Sequence, residues 1–145
     1  MKLEGSKEIA KDFESVWAFV TDAKNMAECM PEVKEYKIVD PTTIEAKIKV
    51  GVGFIKETFD SVVKFTPDRD NKKILIAMDA KTKSNSANVK IDVSVNGDSS
   101  KTSLKWNVDA IMAGRLASIG QRYISKVSDN IIEKAFGCMA SKLSA

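Results

Sequence analysis

The apolar positions of this chain change period twice. Near the start, Leu3, Gly5 and Ile9 alternate loosely and predict a first strand within residues 2–11. Asp12 then stands where a short carboxylate caps a helix, and Phe13, Val16, Trp17 and Val20 follow at helical spacing. Thr21-Asp22 caps again. Ala23, Met26, Ala27 and Met30 mark a second short helix, which Pro31 ends.

From about residue 33 the period becomes two. Ile44, Ala46, Ile48 and Val50 alternate with charged residues, as do Phe59, Ser61, Val63 and Phe65, although Val62 breaks that pattern. Ile74, Ile76, Met78 and Ala80 follow, with Leu75 and Ala77 intervening. Ala87, Val89, Ile91, Val93 and Val95 continue the series, and Leu104, Trp106, Val108 and Ala110 complete it. Each run is a strand with one apolar and one wet face. Asp40-Pro41, Gly51-Val52-Gly53, Pro67 to Asn71, Lys83-Ser84-Asn85 and Asn96-Gly97-Asp98 supply turns, all short enough to make the strands antiparallel neighbours in a meander.

After Gly114 the helical period returns. Leu116, Ile119, Tyr123, Val127, Ile131, Ala135, Met139 and Leu143 form one stripe, which predicts an amphipathic helix of about 28 residues. The fold class is therefore α+β: a curved antiparallel seven-stranded sheet around a long C-terminal helix, with two short helices between strands 1 and 2. One domain spans residues 1–145.

Charge and composition narrow the function. Lys+Arg number 23 against 20 Asp+Glu, a net charge of +3, and the two signs are interleaved, which argues against nucleic-acid binding. No apolar stretch nears the roughly 20 residues of a membrane span. No signal peptide opens the chain, so it is expected in the cytoplasm. Histidine is absent, which removes the commonest general base and the commonest zinc ligand. No metal site, cofactor or catalytic pair is expected. Cys29 and Cys138 read as two small buried or half-buried thiols.

A meander with one apolar face needs a cover, and only the terminal helix is long enough. The space left between them is where an apolar small molecule would sit. The expected lining is Met30, Phe54, Phe59, Val63, Ile76, Met78, Ile91, Trp106, Met112, Leu116, Ile119, Gly120 and Tyr123. Trp106 and Tyr123 would stack on a ring and donate a hydrogen bond, or else are ordinary core. Gly120 marks close approach of the helix to another element. Glu57 shares the parity of Phe59, facing inward with a raised pKa or standing in solvent. The turns at Gly51–Gly53 and Thr82–Asn85 should converge with Met112–Arg115 and the Pro31 loop. Their apolar residues Val52, Phe54 and Met112 lie beside Lys56, Lys81, Lys83 and Arg115. That end forms either a pocket mouth able to touch a membrane or partner, or a lid on the core.

The residues also resemble a family. Gly5, Val16-Trp17, Asp22 and Cys29-Met30-Pro31 match features of the CoxG family of carbon monoxide dehydrogenase subunits, within the START-like (SRPBCC) helix-grip superfamily. The most specific stretch is Thr102-Ser103-Leu104-Lys105-Trp106 followed by Gly114-Arg115-Leu116-Ala117-Ser118-Ile119-Gly120. Glu32 and Ser61 depart from it, each where the family commonly has Gly. The resemblance implies a non-catalytic accessory protein of molybdenum CO dehydrogenase systems that binds a lipid or quinone-like molecule, or recruits the enzyme to a membrane. The chain stops at Ala145 without the apolar anchor of some members, so peripheral contact is the expectation. An assembly module with a filled cavity is the alternative, and a cyclase- or hydrolase-type enzyme a third reading.

Overall fold

The computed structural model describes residues 1–144, with the side chain of Val52 outside the description. The elements run β1 (Lys2–Ile9), α1 (Phe13–Val20), α2 (Ala23–Cys29), β2 (Val33–Asp40), β3 (Thr43–Val52), β4 (Ile55–Asp68), β5 (Lys73–Lys81), β6 (Asn85–Gly97) and β7 (Thr102–Gly114). A 3-10 turn (Arg115–Ser118) and a long helix α3 (Gln121–Ser144) complete the chain. The seven strands form one antiparallel sheet in the order β1-β7-β6-β5-β4-β3-β2. Consecutive strands are neighbours throughout β2–β7, and β1 closes onto β7. This is the meander with a terminal helix expected from the alternation, and the helix-grip order of elements implied by the resemblance.

The local chemistry follows the sequence closely. The carboxylate of Asp12 accepts from the Ser15 N–H and caps α1, and that of Asp22 accepts from the Asn25 N–H and caps α2. Val62 and Leu75, which interrupt their alternations, point to the exposed face of the sheet. Pro67 pairs with Ile74 of β5, but β3 stops opposite Lys64, so no strand needs the N–H that proline lacks.

Two glycines mark close approaches. A Cβ at Gly5 would lie 2.6 Å from the Trp106 ring, so the indole rests on bare β1 backbone. Gly114, at φ +78°, would place a Cβ 2.0 Å from the Ser84 carbonyl oxygen. The β5–β6 turn thus sits tightly on the exit of β7.

The core has three parts. Val16, Trp17, Val20, Leu104, Val95 and Met139 pack where α1 and the C-terminal half of α3 cover one end of the sheet. Ala23 and Ala27 of α2 lie on Ile44, Val63 and Phe65. Ile55, Phe59, Ala80 and Leu116 close the opposite end.

Three expectations change. The terminal helix has 24 residues, not about 28, because Leu116 belongs to the 3-10 turn and extended backbone at Ile119 separates the two. The stripe is consequently out of phase in the first half of α3: Tyr123 is 52% and Ile131 45% exposed, while Ile132 and Phe136 pack into the core. Cys29 and Cys138 are not free thiols but a disulfide, with Cα atoms 5.4 Å apart, joining the end of α2 to α3.

Candidate functional site

The site starts from side-chain size. Register places Ala46, Ser61, Ala80 and Ala87 side by side across β3, β4, β5 and β6, all on the inner face. Bulkier rows flank them: Ile44, Val63, Met78 and Val89 on one side, Ile48 and Phe59 on the other. A trough of small residues between ridges of large ones cannot be filled from below. Above it runs the first half of α3, presenting Ile124, Val127, Ser128 and Ile132. Between floor and roof is a cavity of about 350 Å³.

The lining is almost entirely carbon, with Val108, Ala110 and Met112 of β7 extending the floor. The exposed Asp129 of α3 borders the cavity, and Ser61 and Ser128 are the hydroxyl residues of its wall. Ser61 is 4% exposed, and its Oγ has no hydrogen-bond partner. The opposite face of the sheet also carries depressions, but Lys, Glu and Asp side chains from neighbouring strands border them.

One end of the cavity is closed by a polar clasp. The Asn85 side chain accepts from the Leu116 N–H at 3.1 Å and donates to the Glu57 carboxylate at 3.0 Å. Arg115 lies 3.7 Å from the same carboxylate. The Asn85 amide, then the Thr82 hydroxyl, hold the Glu57 carboxyl below the ordinary glutamate value, and the charge of Arg115 adds to this. A raised pKa at Glu57 is therefore corrected: its side chain is spent tying β4 to β6 and the 3-10 turn. The predicted convergence of turns holds. A side chain at Gly53 would meet Ile119, and the Lys49 N–H donates to the Glu32 carbonyl beside Pro31.

Of the thirteen expected lining residues, Phe59, Met78, Ile91, Trp106, Met112 and Leu116 face the cavity. Met30 and Val63 instead pack beneath α2, and Ile76 lies between the two clusters at the helix end. Ile119 packs against the cluster of Ile55, Phe59 and Leu116. Phe54 is 64% exposed at its turn, with the Arg115 guanidinium over its ring. Gly120 is exposed, and a Cβ there would meet nothing within 4 Å. It is a joint outside the cavity whose carbonyl accepts from the Tyr123 and Ile124 N–H groups, not a close-approach position. Tyr123, one residue before the inward Ile124, faces solvent.

The selection of large side chains missed what makes the room. Ala80, Ala87 and Ala110 had the correct parity in the sequence, but their smallness is informative only once register sets them side by side. Ile124 was hidden by the phase error across Gly120.

A seven-stranded antiparallel sheet with a long C-terminal helix laid over an apolar cavity is a START-like fold. The solved structures agree on the fold. A conserved protein from Geobacillus kaustophilus superposes with a TM-score of 0.89 at 19% identity, covering 99% of this chain and 95% of that one. A START superfamily protein from Mycobacterium smegmatis gives 0.69 at 12%, covering 99% and 97%. The Zhui aromatase/cyclase of Streptomyces gives 0.62 at 14%, covering 99% and 90%. No curated protein matches the chain by sequence. Residues 5–144 match the family profile of CoxG, the G-type subunit of carbon monoxide dehydrogenase, and the chain belongs to that family.

Proposed function

We propose that this protein is a non-catalytic carrier of a neutral apolar small molecule, lipid or quinone-like, serving a CO dehydrogenase-type redox system as an accessory factor. The carbon-lined cavity of about 350 Å³ beneath α3 carries the reading. Its volume is at the low end of small-molecule sites, and its lining offers burial in place of reactive groups. The redox partner is suggested by the family, whose members are named for the dehydrogenase. Two features favour carriage over catalysis. The chain has no histidine, and Glu57, the acid of the clasp at one end of the cavity, is held as a carboxylate by fixed partners.

The test is extraction of the purified protein with organic solvent and mass spectrometry of what it carried, paired with Ala87→Leu. The leucine puts three more carbons into the trough between Ala80 and Met112. Co-purified apolar molecules should disappear from the variant while its circular dichroism is unchanged. If neither form carries an apolar molecule or is stabilised by one when added, the carrier reading is wrong.

One observation favours a peripheral docking role beside carriage. Phe54 projects into solvent from a turn flanked by Lys56 and Arg115, an apolar tip with a basic collar. Among the described residues no helix is long and apolar enough to cross a membrane, so contact of this kind would be superficial. Cosedimentation with anionic vesicles, lost on Phe54→Ser, tests it.

A further inference from the structure

We infer that the Ser61 hydroxyl is the polar anchor of the cavity. It selects a neutral ligand that carries a ketone or hydroxyl oxygen on an otherwise apolar body. The inference rests on the cavity being a ligand site, and goes further by naming the group that orients the ligand.

Ser61 occupies the middle of β4 with the inward parity of Phe59 and Val63. Its register neighbours are Ala46 on β3 and Ala80 on β5. Neither has a polar side chain to offer, and the adjacent backbone groups are engaged in the sheet ladder. Its Oγ is buried, faces the cavity, and has no hydrogen-bond partner. Leaving a hydroxyl in this condition costs about 1–3 kcal/mol relative to a satisfied one. Alanine, already used at the three other positions of the row, would fit the fold without that cost. A serine is explained if its partner arrives with the ligand.

The surroundings define that partner. The wall around Ser61 is carbon, so only one or two polar atoms of the ligand could be satisfied at this depth. A hydroxyl both donates and accepts, so it serves a ketone oxygen or an alcohol equally. A carboxylate or ammonium laid beside Ser61 would meet only the alanines next to it, with no charged side chain in the row, and is disfavoured there on that ground. The recognised class is therefore a ring or chain with one neutral oxygen, laid with that oxygen on β4 and its apolar part under Ile124 and Val127.

The experiment uses two probes of nearly equal shape, 2-acetylnaphthalene and 2-ethylnaphthalene, titrated into delipidated wild-type protein, Ser61→Ala and Ser61→Cys. The alanine removes the donor with little change in volume, and the cysteine weakens it while filling slightly more space, so together they separate hydrogen bonding from cavity size. The wild type should prefer the ketone over the hydrocarbon by about fivefold more than either variant does. Both variants should bind the hydrocarbon at least as tightly as wild type. Unliganded Ser61→Ala should melt no lower than wild type, because nothing in the fold uses the hydroxyl. A preference ratio unchanged in both variants, with both probes bound, overturns the anchor and leaves the carrier reading standing. A large loss of unliganded stability in Ser61→Ala also overturns it, since the hydroxyl would then have an internal partner. Failure of all three proteins to bind either probe overturns the carrier reading and the anchor with it.

Discussion

Breaking the Cys29–Cys138 disulfide should cost this fold much of its stability. The two cysteines are 109 residues apart, so the bridge closes about three quarters of the chain into one loop. In the chain-entropy treatment a loop of that size removes on the order of 5 kcal/mol from the unfolded state, and native bridges commonly deliver 2–5. Unfolding entropy near 2.1 cal/mol/K per residue gives about 0.3 kcal/mol/K for this chain. A loss of about 3 kcal/mol then lowers Tm by roughly 10 °C. The same change should be felt locally, because the next residue, Met139, is where α3 is buried outright. Scanning calorimetry of the oxidised protein, the reduced protein and Cys138→Ser measures the effect. Thiol titration of the denatured oxidised protein should find no free thiol. Two titratable thiols without reductant, or a shift under about 3 °C on reduction, would refute the bridge or its role.

Other perturbations separate the parts of the structure. Asn85→Ala leaves the Leu116 N–H and the Glu57 carboxylate without their shared partner, and should cost roughly 2–3 kcal/mol by urea denaturation. Acid should act on the same clasp. Glu57 titrates below its ordinary 4.5 in the folded state, so its contribution is complete above that pH and is lost as pH falls through the folded value. Asn85→Ala should therefore flatten the fall in Tm below about pH 4.5. Gly5→Ala drives a Cβ into the Trp106 ring and should cost about 1–3 kcal/mol, with a shift in tryptophan emission. Gly120→Leu should leave naphthalene affinity within about twofold of wild type, because the added side chain meets open space outside the cavity. Glu32→Gly should raise stability by up to about 1 kcal/mol, since Glu32 sits at φ 65°, a conformation glycine adopts without strain.

The fold was legible because its main signals are local. Alternation over β3 to β7 needs only neighbouring residues, and the capping aspartates need only three-residue reach. Glu32 is a further case: the position where the resemblance implied glycine has positive φ. The site was legible only in part, because it is made by comparison across strands. Nothing within Ile55–Asp68 distinguishes Ser61 from any polar residue interrupting an apolar face. Its meaning appears when Ala46 and Ala80 are found beside it. The helix stripe failed for a related reason. Period was carried across Gly120 as if the backbone were continuous, whereas the extended Ile119 resets the phase and trades Tyr123 for Ile124. The disulfide was invisible because loop closure over 109 residues leaves no mark on either cysteine's neighbours.

The broken helix and the disulfide together explain why the cavity survives as open space. A cover helix normally sinks until its apolar stripe meets the sheet, because dispersion favours the closest packing. Here α3 is restrained at both ends. Its C-terminal half is fixed by Met139 and Phe136 in the core and by the bond from Cys138 to α2. Its approach is fixed by Leu116 and Ile119 packed on Ile55, with Asn85 gripping the Leu116 N–H. Between these anchors the helix spans a floor of alanines and one serine that offers it nothing to rest on. The segment from Ile124 to Ile132 therefore remains above the sheet as a roof held at its two ends. Entry of a ligand larger than the cavity would have to bend this segment, while either anchor could hold. Backbone amides from Ile124 to Ile132 should then exchange faster than those around Met139 in the unliganded protein, and slow when an apolar probe is bound. Uniform exchange along α3 in both states would mean that the helix moves as one body and that the two anchors do not define the roof.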